Sequence, residues 1–556
     1  MASVGQLTIG FDEASMAALA RLEASPTDTA VADLRNGQDC ARRLEQLLQD
    51  RGTVSLPPGQ YVLDGSTLRL PAGSRLLSGP KAMFQLKNSP PSHNFIRLSP
   101  GVQIHGLRAT CAEGPAVGTG AIILGVDCDS VAITDTYLYG PGQRGPLAGS
   151  QTGISLWRCS SCLLQRVAIH EAGGGAYGLE VIGGADNLFH DLGAQRCGAD
   201  GIKVMGSAAY GVPYRMRFTA CGSHRNGQAV MCRDYPRVPV TSTTGATIEG
   251  PGGWVIAPTA AGYSVALPER DGVYVLYLED QAPSVRATFG PGLSQFLFLA
   301  NPKLATRFVC AGGVWTVDNW TNGEGWDLSG VGHRLTDCAA QGNSGGGFQV
   351  KPGSVAGSDT ADITFTACRA WETWDGNGFA VVNNTNGQGC PTGITFTACG
   401  SHRNSQAGFA FTTGLMRGMA LAQCQGHGNG GPGLNLQEWC RDVDISGLWL
   451  AGNGRGRPAG NPGYNWHQRG GKRICARGVT LAGTEPSPWG QADADYEAPG
   501  GCQGFYLLRD CGNGQVADRV AIDAQCHGHY LGTDADIYAT PTRKGTRADF
   551  PGLVIR

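Results

Sequence analysis

The chain has 556 residues, of which 86 are glycine and 16% are charged, with a formal net charge of -2. That balance, without basic clusters, sets nucleic acid aside as a partner, and no apolar run approaches the ~20 residues of a membrane span. The length exceeds one ordinary core, but a solenoid grows by adding coils, so a single long domain is allowed.

The region after Met1 has no basic-then-apolar leader, so synthesis in the cytosol without a signal peptide is expected. Residues 12–23 carry a short helical pattern with Met16, Leu19 and Leu22 on one side; this fits an adaptor or trimer-forming neck, or a frayed terminus. A clearer amphipathic helix is predicted over 39–50 (DCARRLEQLLQD), with Cys40, Leu44, Leu47 and Leu48 on one face. Placed there, it would cover the open end of a coil and hide its unpaired strand edge. Short β-type runs follow at Val102, Val131, Leu163, Leu188 and Met216.

These runs belong to a repeat seen most clearly at 335–350 (LTDCAAQGNSGGGFQV), 365–381 (FTACRAWETWDGNGFAV), 396–411 (FTACGSHRNSQAGFAF) and 421–436 (LAQCQGHGNGGPGLNL). Residues 218–230 repeat its start, and 189–204 keep its spacing with Leu192 where the others have cysteine. Repeats of this size mean a stacked architecture, and the absence of a helical period within each unit leaves a parallel β-helix. The phenylalanine, the cysteine, the small residue two beyond it and the apolar pair after the glycine would point inward, and the side chains between them outward. Nineteen cysteines is an odd number. Cys221, Cys338, Cys368, Cys399 and Cys424 share the inward column, so reduced, packed thiols are expected. Cys159-x-x-Cys162 and the Cys526–His529 cluster lack a matching second half, and no metal or cofactor is expected.

After Val230 the repeat is lost, and 232–328 hold longer alternating runs that read as an inserted antiparallel β subdomain beside the coils at 189–230 and 335–350. The coils would resume at Trp326, continue through 329–450, and give way over 451–556 to closing coils and a small cap. The expected fold is thus an all-β, right-handed parallel β-helix: a neck at 1–38, the first coils with their capping helix at 39–231, the insertion, the second coils and the cap.

The helix at 39–50, then GTVSLPPGQY at 52–61, then LRLPAG at 68–73, resembles the opening of the pectate-lyase-like β-helix superfamily. Within it, the Cys/Asn coils and the missing leader are most similar to bacteriophage tailspikes. The likeness covers about residues 39–450 and is weak on chemistry. It implies a homotrimer on the virion, joined to a phage tail or baseplate protein through its N-terminus, that recognises and often cleaves a bacterial surface polysaccharide. Lyases and non-catalytic adhesins share the fold.

Because the interior of such a coil is packed, a polymer would bind across outward columns. One column reads Ser155, Glu180, Lys203, Gln349, Ala380, Ala410 and Asn435, with Trp157 two residues further along its coil and Tyr177 and Asp200 just before the repeated glycine. Glycoside hydrolysis needs one carboxylic acid to protonate the leaving oxygen and a second carboxylate to activate water or attack carbon. Glu180 and Asp200 are the candidate pair, with Trp157, Tyr177 and Lys203 as binding residues. The plainer alternative is a surface salt bridge from Glu180 to Lys203 with Asp200 capping a turn. An elimination would instead draw its base from Lys203 or Tyr177. A second column, His170, Gln195, His224, Gln341, Trp371, His402 and His427, would bind sugar hydroxyls or only brace a corner or a subunit contact. Beside it, Trp371, Glu372, Trp374 and Asp375 resemble a sugar-stacking subsite.

Overall fold

The computed structural model describes 31–231 and 323–454, save positions 32, 36, 89–91, 112–119, 141–150, 174–175, 228, 354–359, 374–375, 384–388 and 438. It also describes the strands between 246 and 318 and between 464 and 555. The motif Phe-Thr-Ala-Cys, rich in β-branched and aromatic residues, folds as a three-residue strand, Thr364–Thr366 in one coil. The next residue, Ala367, turns into the left-handed region at φ 54, and the chain bends into a second strand, Arg369–Trp371. A Gly/Asn turn then leads to a third, Phe379–Val382. The next coil repeats all three in parallel register, Phe365 opposite Phe396, Trp371 opposite His402 and Phe379 opposite Phe409. Every coil therefore has three faces, and parallel crossovers of this kind wind right-handed.

Identical residues meet on the axis. The Phe348, Phe379 and Phe409 rings stack at 4.8 and 5.1 Å, and Phe365 stacks on Phe396 at 4.8 Å. Cys221, Cys338, Cys368, Cys399 and Cys424 are buried free thiols, each donating to the carbonyl two residues before it. The turn between the second and third faces is held by buried asparagines that bond one another between coils, as Asn404 to Asn429 at 2.9 Å and Asn429 to Asn453 at 2.8 Å. Satisfying those amides internally fixes the register of the stack.

The N-terminal end is closed by the helix Ala41–Arg51, whose Leu44, Leu47 and Leu48 are buried. The helical pattern at 12–23 lies outside the described residues. Among these, no helix is long and apolar enough to cross a membrane.

The coil resumes at Trp326, as its spacing suggests: Trp326–Leu328 pairs in parallel with both Ile202–Met205 and Phe348–Val350, so it is the third-face strand of a coil and the insertion ends before it rather than at 328. At the other end, Ala229–Met231 already pairs antiparallel with Val314–Asp318. The insertion thus interrupts one coil between its second and third faces. It leaves after Gly227, whose N–H bonds the Cys197 carbonyl, and returns at Gly323, whose carbonyl accepts from Gly345. Its strands form sheets of five and four, antiparallel except for Gly262–Leu267 beside Ser284–Phe289. Past 450 parallel pairing continues: Tyr464–Arg469 pairs with Gln503–Leu508, and Val520–Ile522 with Leu553–Ile555.

Candidate functional site

The third face presents two neighbouring outward columns. Strand alternation turns the middle residue of each short strand away from the axis, and the register aligns Ser155, Glu180, Lys203, Asp327, Gln349 and Ala380. Three residues earlier in each coil, the residue before the glycine forms the second column. Carbonyls of Asp200, Glu324 and Gly346 accept in turn from Gly178, Gly201 and Gly325, stacking Tyr177, Asp200, Glu324 and Gly346. Four carboxyls and Lys203 therefore occupy three successive rungs, spaced by about 4.8 Å.

Their side chains form a continuous network. Lys203 Nζ lies 3.1 Å from Asp200 Oδ2, 3.2 Å from Asp327 Oδ2 and 3.2 Å from the Tyr177 hydroxyl, over whose ring it sits at 4.4 Å. Lys351 Nζ reaches the same Asp327 oxygen at 2.9 Å. Asp200 Oδ1 accepts the Glu324 backbone N–H at 2.9 Å. The Glu324 carboxyl accepts the Gly346 N–H and, at 2.8 Å, the Gln349 amide. A Cβ at Gly346 would come within 2.6 Å of that carboxyl, which would have to shift. Glu180 faces the other way, its Oε2 accepting from Ser155 Oγ and Trp157 Nε1, each at 3.0 Å.

Burial and crowding of like charge divide these groups electrostatically. Burial, reinforced by Asp200 and Asp327, pushes Glu324 up to about 8, so it holds its proton at neutral pH. Asp200 is also raised, by burial against the pull of Lys203 and with a push from Asp327. Burial works against the Lys203 ammonium, but Asp200 and Asp327 outweigh it and hold its pKa above the ordinary range.

Of the residues singled out from sequence, Tyr177, Asp200 and Lys203 meet directly, and Glu180 and Trp157 meet on the adjoining rungs. Trp371 and Glu372 stand elsewhere, on the second face and at its left-handed corner (φ 58), where Glu372 accepts from Gln341 at 3.2 Å. Trp374 and Asp375 lie outside the described residues. Sequence reasoning missed Asp327 and Glu324, which adjoin the insertion. The signal was present: Gly325-Trp326-Asp327-Leu328 repeats Gly-apolar-x-apolar, with the acid in the outward position.

The second-face column aligns as the spacing predicts, His170, Gln195, His224, Gln341, Trp371, His402 and His427 on successive rungs. Here burial lowers His170, His224 and His402, the last to about 4, with His427, Arg369 and Arg403 adding to it there. The His402 and His427 rings lie 4.1 Å apart. Among the described residues no group of three or more His, Cys, Asp or Glu side chains has the arrangement of a metal site.

No protein-family model matches the sequence, and neither does any curated protein. Solved structures that align with the fold include the mannuronan C-5 epimerase AlgE4 A-module of Azotobacter vinelandii, at 13% identity and TM-score 0.40, covering 93% of this chain and 99% of that one. Tailspike protein 3 of bacteriophage CBA120 aligns at 9% identity and TM-score 0.40 over 98% of this chain and 67% of that one. The catalytic domain of a GH87 alpha-1,3-glucanase in complex with nigerose aligns at 10% identity and TM-score 0.34, over 94% and 66%. At these TM-scores the fold assignment rests on the strand register of the chain itself.

Proposed function

We propose that this chain is a trimeric virion tailspike that binds a bacterial surface polysaccharide and shortens it by endolytic glycoside hydrolysis. The spike reading rests on the resemblance of the opening motif and the Cys/Asn coils. The catalytic reading rests on one observation: three carboxyls and two lysines meet on adjoining rungs of an outer face, next to the rung of Glu180, with two of the acids driven up by burial. Titratable groups perturbed by burial and by specific charge partners cluster at functional sites.

In this mechanism Asp200, whose pKa burial raises, protonates the glycosidic oxygen as the bond to the anomeric carbon breaks. Glu180, held by Ser155 and Trp157, takes the proton of the water that attacks that carbon. Lys203 and Tyr177 bind hydroxyls beside the broken bond. The charge balance supports hydrolysis over elimination, which needs a cation to stabilise the charge that builds on a uronate. Both lysines are already committed, Lys203 to Asp200 and Asp327 and Lys351 to Asp327. The contact between Lys203 and the Tyr177 hydroxyl favours elimination as the second reading, with the tyrosine as base.

The test is to incubate purified protein with surface polysaccharides of candidate host strains while following chain length, reducing ends and ultraviolet absorbance together. Shortening with new reducing ends and flat absorbance is expected. Rising absorbance from an unsaturated sugar replaces hydrolysis with elimination, and binding without shortening leaves a receptor-binding spike.

A further inference from the structure

Beside Glu180 the chain builds a feature that no coil repeat requires. The segment 206–213 joins the third face of one coil to the first face of the next, and it doubles back on itself. Ser207 and Gly211 form an antiparallel bridge, with N–H to carbonyl distances of 3.0 and 2.8 Å, and the Ser207 hydroxyl accepts the Tyr210 N–H at 3.1 Å. The hairpin folds over Gly183, whose φ is +66 and where a Cβ would collide with the Tyr210 carbonyl. It carries the Tyr210 ring onto Trp157, with centroids 5.3 Å apart and planes at 36°.

Two further contacts fix the assembly. The Arg158 guanidinium lies 5.8 Å over the Tyr210 ring and reaches the Ala209 carbonyl at 3.4 Å. Asp127 clamps the same guanidinium through both its oxygens, so its charge is neutralised where it stands. On the other side, the Trp157 indole N–H is spent on Glu180. Trp157 and Tyr210 are both half-buried.

We infer that Trp157 and Tyr210 form a composite aromatic shelf that stacks the C–H face of an uncharged pyranose, one sugar away from the bond at Glu180. The inference rests on the polysaccharide reading above and adds its sugar class. Aromatic faces gain from contact with apolar C–H surface, and a tilted pair offers a ring-sized platform with few rotamers to freeze. Charge selects the occupant: Glu180 borders the shelf, Arg158 against it is paired with Asp127, and Lys203 on the next rung is paired with Asp200 and Asp327, so a uronate placed there would meet Glu180 with no free cation among the described neighbours to offset it. Tyr210 is then a specificity residue and the 206–213 hairpin a specificity element, which Gly183 admits.

The experiment measures initial rates on the polymer that the wild-type protein shortens, with polygalacturonate as the anionic control. It compares wild type with Tyr210→Ala, Tyr210→Phe and Gly183→Ala. Loss of half the platform in Tyr210→Ala raises KM about tenfold while kcat falls by less than about threefold, Tyr210→Phe retains the wild-type KM, and Gly183→Ala follows the alanine variant by displacing the hairpin. In parallel, Glu180→Gln protein is titrated with the same polymers, following tryptophan fluorescence. A wild-type KM in Tyr210→Ala, equal binding of polygalacturonate, or no binding of any surface polysaccharide would each overturn the shelf. Binding that depends on Tyr210 without any shortening would keep the shelf and remove the hydrolytic role of Glu180 and Asp200.

Discussion

The second and third faces arise from one rule and end in different chemistry. On both, strand alternation sends every other residue outward and parallel register aligns it with its counterparts, so each face carries a continuous column. On the second face the column is planar and neutral: burial holds His170, His224 and His402 below the ordinary imidazole range. On the third face a turn column and a strand column lie side by side, and acids and lysines from both share oxygens across three rungs. Depth alone does not separate the faces, since each perturbs its titratable groups. On the third face buried acids touch a buried lysine, and burial with crowding of like charge raises both Asp200 and Glu324.

If that contrast marks the catalytic face, the largest effect comes from Glu180→Gln and Asp200→Asn. Each is expected to lower kcat at least a hundredfold, the usual contribution of a positioned acid or base, with little change in melting temperature for Glu180→Gln and a drop for Asp200→Asn, which takes a charged partner from Lys203. Trp371→Ala on the second face is expected to stay within about threefold. Reducing-end assays on the three variants break the comparison if Trp371→Ala loses as much as Glu180→Gln.

Asp327→Ala should follow in magnitude, read as stability. The carboxylate is 3% exposed and receives Lys203 and Lys351 together. Removing it leaves two half-buried ammonium groups short of a partner, a loss of about 3–5 kcal/mol by the usual cost of breaking a buried pair. Denaturant midpoints should fall accordingly, and Lys351→Met in the same background should recover part of the loss.

The faces also oppose one another in pH. Glu324 has a folded pKa near 8, above its unfolded value, so its stabilising contribution is complete below about 4.5 and is lost as pH rises through 8. Linkage makes that at most about 1.4 kcal/mol for each pH unit across the window. Glu324→Gln, which keeps the shape of the side chain and one of its two acceptor oxygens but cannot titrate, should flatten the alkaline side of a plot of midpoint against pH.

Much of this was legible before any coordinates, for physical reasons. A solenoid converts a one-dimensional spacing into a three-dimensional column, so Phe365, Cys368 and Phe379 announce the inward stack, and Glu180, Lys203 and Gln349 the outward one. What the spacing hid was the coil broken by the insertion. Trp326–Leu328 is separated from its coil's second strand, Gly222–His224, by about a hundred intervening residues, so Asp327 and Glu324 did not fall into columns counted by interval. Tyr210 was hidden differently. It sits in a hairpin specific to one coil, where no repeat exists to predict it.

The smallest effect sharpens the contrast most directly. His402 is lowered to about 4, so the folded chain refuses a proton that the unfolded chain accepts below about 6.5. Its contribution is present above 6.5 and is lost as pH falls through 4, the reverse of Glu324. The ring is partly exposed, so solvent screening trims the slope below the linkage limit of about 1.4 kcal/mol per pH unit, to on the order of 0.5. His402→Gln should therefore soften only the acid side of the midpoint curve, leaving the alkaline side to Glu324. Equal softening on both sides would mean that the two columns titrate as one system.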